Sequence, residues 1–322
     1  MGGSTKQALL QALSAAEGAY ISGQQLAEAL GVSRAAVHKA AQALLAQGYA
    51  LDSAPRRGYR LAGGDPFCAE AVGPYPAPIH IYDTLQSSNL TAKQLALGGA
   101  PHGTLVLTAH QKAGRGRLGR RFESPCRKGV YLSLILRPAL SAADAQSVTI
   151  SAAVAVARAV KALCGLELGI KWVNDLYYQG RKVCGILTEA ALDLESGMLD
   201  YAVLGLGFNV AAPADGWPED LRDVAGALYD GSPAPGARAA LAAAFLNAFW
   251  PLYRAGPRSG YLDEYCRRQA LTGQRVLVTP RRGTPRAAQV QGIDDECKLV
   301  VRFDGESRPA ALNSGEVSVR LL

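Results

Sequence analysis

Apolar residues at helical spacing open the chain. One helical pattern runs from Lys6 to about Glu17, a second from Ser22-Gly23-Gln24-Gln25 through Leu26, Ala27 and Leu30, and a third from Ser33 through Val37, Leu44 and Leu45. Ser22 and Gln25 have the spacing of a capping box, in which each side chain satisfies the other's backbone donor. Gly31 supplies the tight turn between the second and third patterns. From Tyr49 to Leu61 the pattern changes to two short strands around the basic tip Pro55-Arg56-Arg57-Gly58. Glycines and prolines then crowd the stretch 63–78, which predicts a linker. Beyond it come an alternating strand at Ile79–Ile81, a helix from about Leu90, apolar strands at Thr104–Ala109 and Gly129–Leu136, and an alanine-rich helix from about Ala142 to Leu163. Two strands about the turn Gln179-Gly180, spanning 169–178 and 181–189, predict a hairpin. A glycine-bearing strand at Tyr201–Val210 follows, and short alternating strands at 275–279, 287–293, 298–303 and 317–321 end the pattern.

The first three helices and the basic ribbon predict a winged helix-turn-helix over residues 1–62. Its core takes Val32 and Val37, leaving Arg34, His38 and Lys39 facing outward. With Ser33 at the start of the third helix and Arg56 and Arg57 on the wing, these are the candidate DNA-binding residues, because they place cations where phosphates would run. A small helical dimerisation module that does not bind DNA is the alternative. The remaining pattern makes the chain α+β, with a central mixed sheet and helices over 79–270 and a small β domain over 271–322.

Composition narrows the reading. With 322 residues, 49% hydrophobic and 19% charged, the chain is globular and large enough for two or three domains. The apolar run Val148–Ala157 stops at Arg158, short of a bilayer span, so no membrane association and a cytoplasmic location are expected. The cysteines at 68, 126, 164, 184, 266 and 297 are scattered without a C-x-x-C pair and read as reduced thiols. A net charge of +7 matters chiefly through its location: between Lys112 and Lys128 seven Lys or Arg face the single Glu123.

That basic segment contains Gln111-Lys112-Ala113-Gly114-Arg115-Gly116-Arg117-Leu118-Gly119-Arg120-Arg121. Arginine forks match carboxylate and phosphate oxygens, and intervening glycines let backbone N–H groups approach the same oxygens. A solvated basic turn or a nucleic-acid patch has the same composition. With Leu118 and Phe122 as its only large apolar side chains, the loop is expected to be mobile until an anion binds. Ser87, Ser88 and Asn89 fall at a helix N-terminus, where capping accounts for one of them. If the hairpin turns at Gln179-Gly180, Tyr177 lies opposite Lys182 and Asp175 opposite Cys184, and Lys171, Asp175 and Lys182 share a face. A solvated cross-strand ion pair would look the same. Glycines within the strand 201–210 mark the close approach of a ligand or another backbone.

Residues 79–210 resemble the catalytic domain of biotin protein ligases. The resemblance rests on S-S-N at 87–89, Q-x-x-G-R-G-R-x-G-R at 111–120, K-W-V-N-D at 171–175, R-K-V-C-G-I-L at 181–187 and G-L-G-F-N at 205–209. Phe122 stands where the family often has Trp, Val173 where it has Pro, and Ser88 where it commonly has Thr. The winged helix makes the chain similar to the bifunctional ligase that is also the biotin operon repressor. The resemblance implies a class II synthetase-like catalytic fold, a C-terminal SH3-like barrel, ATP and Mg²⁺ as cofactors, biotin as substrate and biotinyl-5'-AMP as intermediate and corepressor. It also implies a biotin carboxyl carrier protein domain as acceptor, operator DNA as partner, and a homodimer on ligand binding.

By the same resemblance Lys182, Arg115 and Arg117 are the catalytic candidates. Ser87, Ser88, Asn89, Gln111, Arg115, Gly116, Arg117 and Lys182 would bind biotin. Arg117, Arg120, Arg121, Asn174, Asp175 and Asn209 would serve the nucleotide and Mg²⁺, with Asp175 as the metal candidate. A ligase whose winged helix no longer binds an operator, and a non-enzymatic biotin-responsive regulator, are the alternatives.

Overall fold

The computed structural model describes residues 5–322 except positions 142, 143, 194, 232, 235, 258, 282, 315 and 316. The chain forms two compact units, one of residues up to Tyr75 with 232–243, the other of 76–231 with 244–322.

In the first unit, helices α1 (Thr5–Ala15), α2 (Gly23–Leu30) and α3 (Arg34–Ala46) enclose Leu9, Leu13, Leu26, Val37 and Leu44, all buried. The capping box forms as expected: the Gln25 amide donates to Ser22 Oγ at 3.2 Å and the Ser22 amide to Gln25 Oε1 at 3.0 Å. Gly31 ends α2 at φ 63°, a left-handed conformation that glycine adopts without penalty. Strands β1 (Tyr49–Ala54) and β2 (Gly58–Gly64) form the antiparallel wing, with exposed Arg56 and Arg57 at its tip. The stretch 63–78 is not bare linker. It carries the end of β2 and a short helix α4 (Ala69–Val72), because Cys68 and Val72 have apolar surface to bury.

The second unit is built on a seven-stranded mixed sheet. Its strands are β3 (Ile79–Tyr82), β4 (Leu105–Thr108), β5 (Gly129–Leu136), β6 (Gly169–Lys171), β7 (Asp175–Tyr178), β8 (Arg181–Leu192) and β9 (Leu199–Asn209), in the order β3-β4-β5-β9-β8-β7-β6. Only β3 and β4 run parallel among the described pairings of this sheet. Strand β5 is buried along its whole length, as its near-continuous apolar run requires. Helix α5 (Ser88–Leu97) contributes Ala92 and Ala96 to the core. Helix α6 (Gln146–Cys164) begins later than expected, and Ala142 and Ala143 lie outside the described residues. By length and composition α6 could cross a membrane. Every residue from Val148 to Ala157 is nevertheless buried against the protein, and Arg158 pairs with Glu264 at 2.7 Å.

Helices α7 (Ala237–Arg254) and α8 (Tyr261–Arg267) precede a five-stranded antiparallel sheet, β10 (Arg275–Pro280), β11 (Arg286–Ile293), β12 (Leu299–Phe303), β13 (Ala310–Leu312) and β14 (Val317–Leu321), in the order β13-β12-β11-β10-β14. The three-residue strand β13 is too short to leave an alternation in the sequence.

The expected hairpin needs one correction. Residues 169–178 are two strands, since the chain reverses at Trp172-Val173-Asn174 and β6 pairs with β7, placing Lys171 opposite Asp175. Tyr177 does lie opposite Lys182, but a bulge in β8 puts Asp175 opposite Gly185 instead of Cys184. The bulge preserves the shared face of Lys171, Asp175 and Lys182 that a regular register was expected to give.

Candidate functional site

A cavity of about 780 Å³ opens over the face of β9, β8, β7 and β6, between the basic loop and the C-terminal sheet. Every residue of the catalytic region singled out from sequence as a biotin, nucleotide or catalytic candidate lines it.

One end is a buried hydroxyl and amide network. Gln111 Oε1 accepts from the Ser88 amide at 2.8 Å and from Ser88 Oγ at 3.1 Å, while Gln111 Nε2 donates to Ser124 Oγ at 2.9 Å. The cap of α5 is therefore supplied by Gln111 from another segment. Ser87 makes no side-chain cap, so capping does not account for the Ser87-Ser88-Asn89 triplet. Asn89 instead reaches across the sheet, donating to Glu189 at 3.0 Å and to the Leu187 carbonyl at 3.2 Å and accepting from Ser133 Oγ at 2.6 Å.

The other end gathers charge. Lys182 Nζ lies 2.7 Å from Asp175 Oδ1, both about three-quarters buried, and Lys171 stands over the Tyr177 ring at 5.6 Å. Burial lowers the Lys171 pKa against the opposing pull of Asp175. Arg117 donates to Asn174 Oδ1 at 3.0 Å and to the Ser314 carbonyl in the C-terminal sheet region. Its burial likewise depresses its pKa, with Asp175 opposing. Arg120 reaches Ser318 Oγ at 2.9 Å, Arg121 pairs with Glu123 at 3.4 Å, and Arg115 is exposed.

The basic loop holds more structure than its composition predicts. The Phe122 amide donates to the Gly114 carbonyl and the Gly116 amide to the Arg120 carbonyl, folding 114–122 back on itself. Phe122 seats its ring over Gly207 and 5.8 Å from Lys182 Nζ. The strand glycines thus admit side chains: a Cβ at Gly207 would strike Phe122, and one at Gly205 would strike the Asn89 amide. The approach expected from sequence was that of a ligand or another backbone.

A model of the biotin/lipoate A/B protein ligase family matches residues 82–209, and a helix-turn-helix model matches residues 5–60. The bifunctional ligase/repressor BirA of Bacillus spizizenii is 35% identical over 253 residues, covering 76% of this chain and 77% of the relative. That of Bacillus subtilis is 36% identical, covering 68% and 69%. This chain belongs to the bifunctional ligase/repressors. The same fold is seen in the biotin protein ligase of Aquifex aeolicus solved with biotin and ATP, with a TM-score of 0.62 at 22% identity over 76% of this chain and 99% of that one.

Ser133, Glu189, Ser124 and Phe122 are site residues that sequence reasoning did not assign. Ser133 had a readable signal, since it is the one polar position in Gly-Val-Tyr-Leu-Ser-Leu-Ile-Leu. In the first unit Arg34, His38, Lys39, Arg56 and Arg57 are exposed, whereas the Ser33 hydroxyl accepts from the Ala36 amide as the cap of α3. His38 Nδ1 lies 3.1 Å from the Tyr59 hydroxyl, and Arg57 stacks on Tyr20 at 4.2 Å.

For Mg²⁺, no group of three or more His, Cys, Asp or Glu capable of holding a metal occurs among the described residues. Asp175 and the buried Asn209 Oδ1, which has no hydrogen-bond partner, supply oxygen donors on the cavity wall. This sparse set fits a cation that arrives largely coordinated by phosphate and water.

Proposed function

We propose that this biotin–protein ligase activates biotin with ATP and transfers the acyl group to a lysine of a biotin carboxyl carrier domain, and that its winged helix reads operator DNA. The observation that carries the reading is the pairing, in one cavity, of a neutral hydrogen-bonding end at Ser88 and Gln111 with a cationic end at Lys182 and Arg117. A substrate with a polar ring and a carboxylate tail matches both ends.

In the first step a biotin carboxylate oxygen attacks the α-phosphorus, pyrophosphate leaves, and biotinyl-5'-AMP remains. Lys182 and Arg117 lower the repulsion between the two anions, and fixed cations in a partly dry site need no reorganisation as charge develops. Arg115, Arg120 and Arg121 face the phosphates from the loop. Asp175 and Asn209 would hold Mg²⁺, which when bound would neutralise phosphate charge. In the second step the acceptor amine attacks the acyl carbonyl and AMP leaves. Residues 112–128 shield the mixed anhydride from water until then.

The liganded chain is read as a homodimer whose two winged helices span operator half-sites, and the protein as cytoplasmic. Its C-terminal sheet is read as an SH3-like barrel. Incubation with biotin, ATP and Mg²⁺, followed by mass spectrometry and a pyrophosphate assay, is expected to give retained biotinyl-5'-AMP. No adenylate under these conditions would overturn the ligase reading.

A further inference from the structure

We infer that Tyr20 is a positioning residue for DNA recognition: its ring holds the Arg57 guanidinium ready for a backbone phosphate, while Arg60 braces the same ring and takes no phosphate. The inference rests on the operator-DNA reading and deepens it. One wing arginine makes the phosphate contact, and its support comes from a residue outside both the wing and the third helix.

Tyr20 owes its place to backbone pairing. Its neighbour Ile21 forms an antiparallel bridge with Tyr59 of β2, amide to carbonyl in both directions at 2.9 Å. Gly58, at φ 95°, permits this approach, since a Cβ there would strike the Ile21 carbonyl and Ser22 Cα. The next residue, Ser22, caps α2. The segment 20–22 is thus fixed to the wing on one side and to a helix start on the other, and Tyr20 itself is only partly exposed.

Arg57 and Arg60 flank Gly58 and the bridged Tyr59, and both guanidinium groups lie over the Tyr20 ring, at 4.2 and 4.9 Å from its centroid. Their charges are differently committed. Arg60 stands opposite Asp52 in the β1–β2 ladder and donates through Nε to its carboxylate at 3.1 Å. Arg57 is exposed, and among the described residues no carboxylate pairs with it. A ring face attracts a guanidinium through its quadrupole but leaves the charge in place and the in-plane N–H donors open. Phosphate oxygens match that fork. A long exposed arginine gives up rotamer freedom when it binds phosphate, and one already held against a ring gives up less. Tyr20 therefore adds affinity without adding charge.

The test uses the full chain with biotin, ATP and Mg²⁺. The probe is a fluorescein-labelled mixed-sequence DNA duplex long enough for two half-sites, titrated by anisotropy at several salt concentrations. Arg57→Ala is expected to weaken binding and to lower the salt slope by about 0.9 for each phosphate left without its cation. Tyr20→Ala and Tyr20→Leu, the second filling the space without an aromatic face, are each expected to weaken binding about three- to tenfold with the slope unchanged. Tyr20→Phe keeps the ring and should bind as the wild type does, and Arg60→Gln should keep the wild-type slope. The deciding measurement is made in an Arg57→Ala background, where either loss of the ring should cost less than about twofold. A structural role for Tyr20 would lower the melting temperature and cost the same factor in both backgrounds. That result would overturn the inference, as would a wild-type slope in Arg57→Ala or a lowered one in Arg60→Gln. Wild-type binding without this coupling sinks only the inference, whereas a wild-type protein that binds no duplex, operator-bearing or mixed, sinks the DNA-binding reading with it.

Discussion

Lys182 and Asp175 form an ion pair at 2.7 Å although they do not face one another across the ladder, Lys182 lying opposite Tyr177 and Asp175 opposite Gly185. The bulge in β8 leaves them on one face, and the lysine lies against Gly185. Lys182→Ala is expected to slow adenylation by a factor matching about 2 to 4 kcal/mol of lost transition-state stabilisation. The ion pair itself accounts for about 1 kcal/mol of folding stability or less, so the melting temperature should change little by comparison. Single-turnover pyrophosphate release compared with thermal unfolding checks both, and an unchanged rate would remove Lys182 from the site.

The Phe122 ring occupies the space that Gly207 leaves open. Gly207→Ala is expected to displace the ring, and with it the loop backbone bonded through Gly114. In a Phe122→Ala background the same glycine change should cost much less. A double-mutant cycle on adenylation rate is expected to give a coupling of about 0.5 to 3 kcal/mol. Additive effects would mean that the ring does not rest there in the working protein.

For operator binding, Arg34→Ala and Arg56→Ala should each weaken DNA binding and lower the salt-dependence slope by about 0.9 for each phosphate left without its cation. Adenylation should not change. Fluorescence anisotropy on an operator fragment across salt concentrations measures the slope, and wild-type slopes in both variants would exclude the two residues from the interface.

Burial pushes the Tyr177 hydroxyl up to about 12 from its ordinary 10.0, with Asp175 adding to the rise. A raised folded-state pKa gives stability that is full below the unfolded pKa and fades as pH rises through the folded one. Stability should therefore fall between about pH 10 and 12 more steeply in the wild type than in Tyr177→Phe. Denaturant midpoints measured across that range give the comparison. Parallel curves would show that Tyr177 titrates alike in the folded and unfolded chain.

Arg115, Arg120 and Arg121 are exposed on the basic loop. Trypsin is expected to cut there in the free protein, and biotin with ATP should slow those cuts far more than cuts elsewhere. Equal digestion with and without ligand would separate the loop from the ligand cycle.

The sequence made the order of elements readable, and also which segments meet at the site. Gly129–Leu136 shows its burial in an unbroken apolar run, and Ser22 with Gln25 announces the second helix. What it did not disclose were relations that depend on distant packing. Nothing local in Trp172-Val173-Asn174 distinguishes a reversal from a continuing strand. The bulge opposite Tyr177 is an irregularity that period-two reasoning cannot place. Glu189 looks like an ordinary polar strand residue until Asn89, 100 positions earlier, is brought beside it. The anchoring of the basic loop was missed for a related reason, since its composition says nothing of the glycine on which Phe122 lands.

Arg117 binds the Ser314 carbonyl across 197 residues of chain. During synthesis the loop therefore leaves the ribosome long before the segment that holds it. A nascent catalytic sheet can form its strands and even its Lys182–Asp175 pair while the roof of the cavity is still unmade. Until that late β domain folds, Arg117 and Arg120 have no Ser314 carbonyl and no Ser318 hydroxyl to reach, so the basic loop closes over the cavity last.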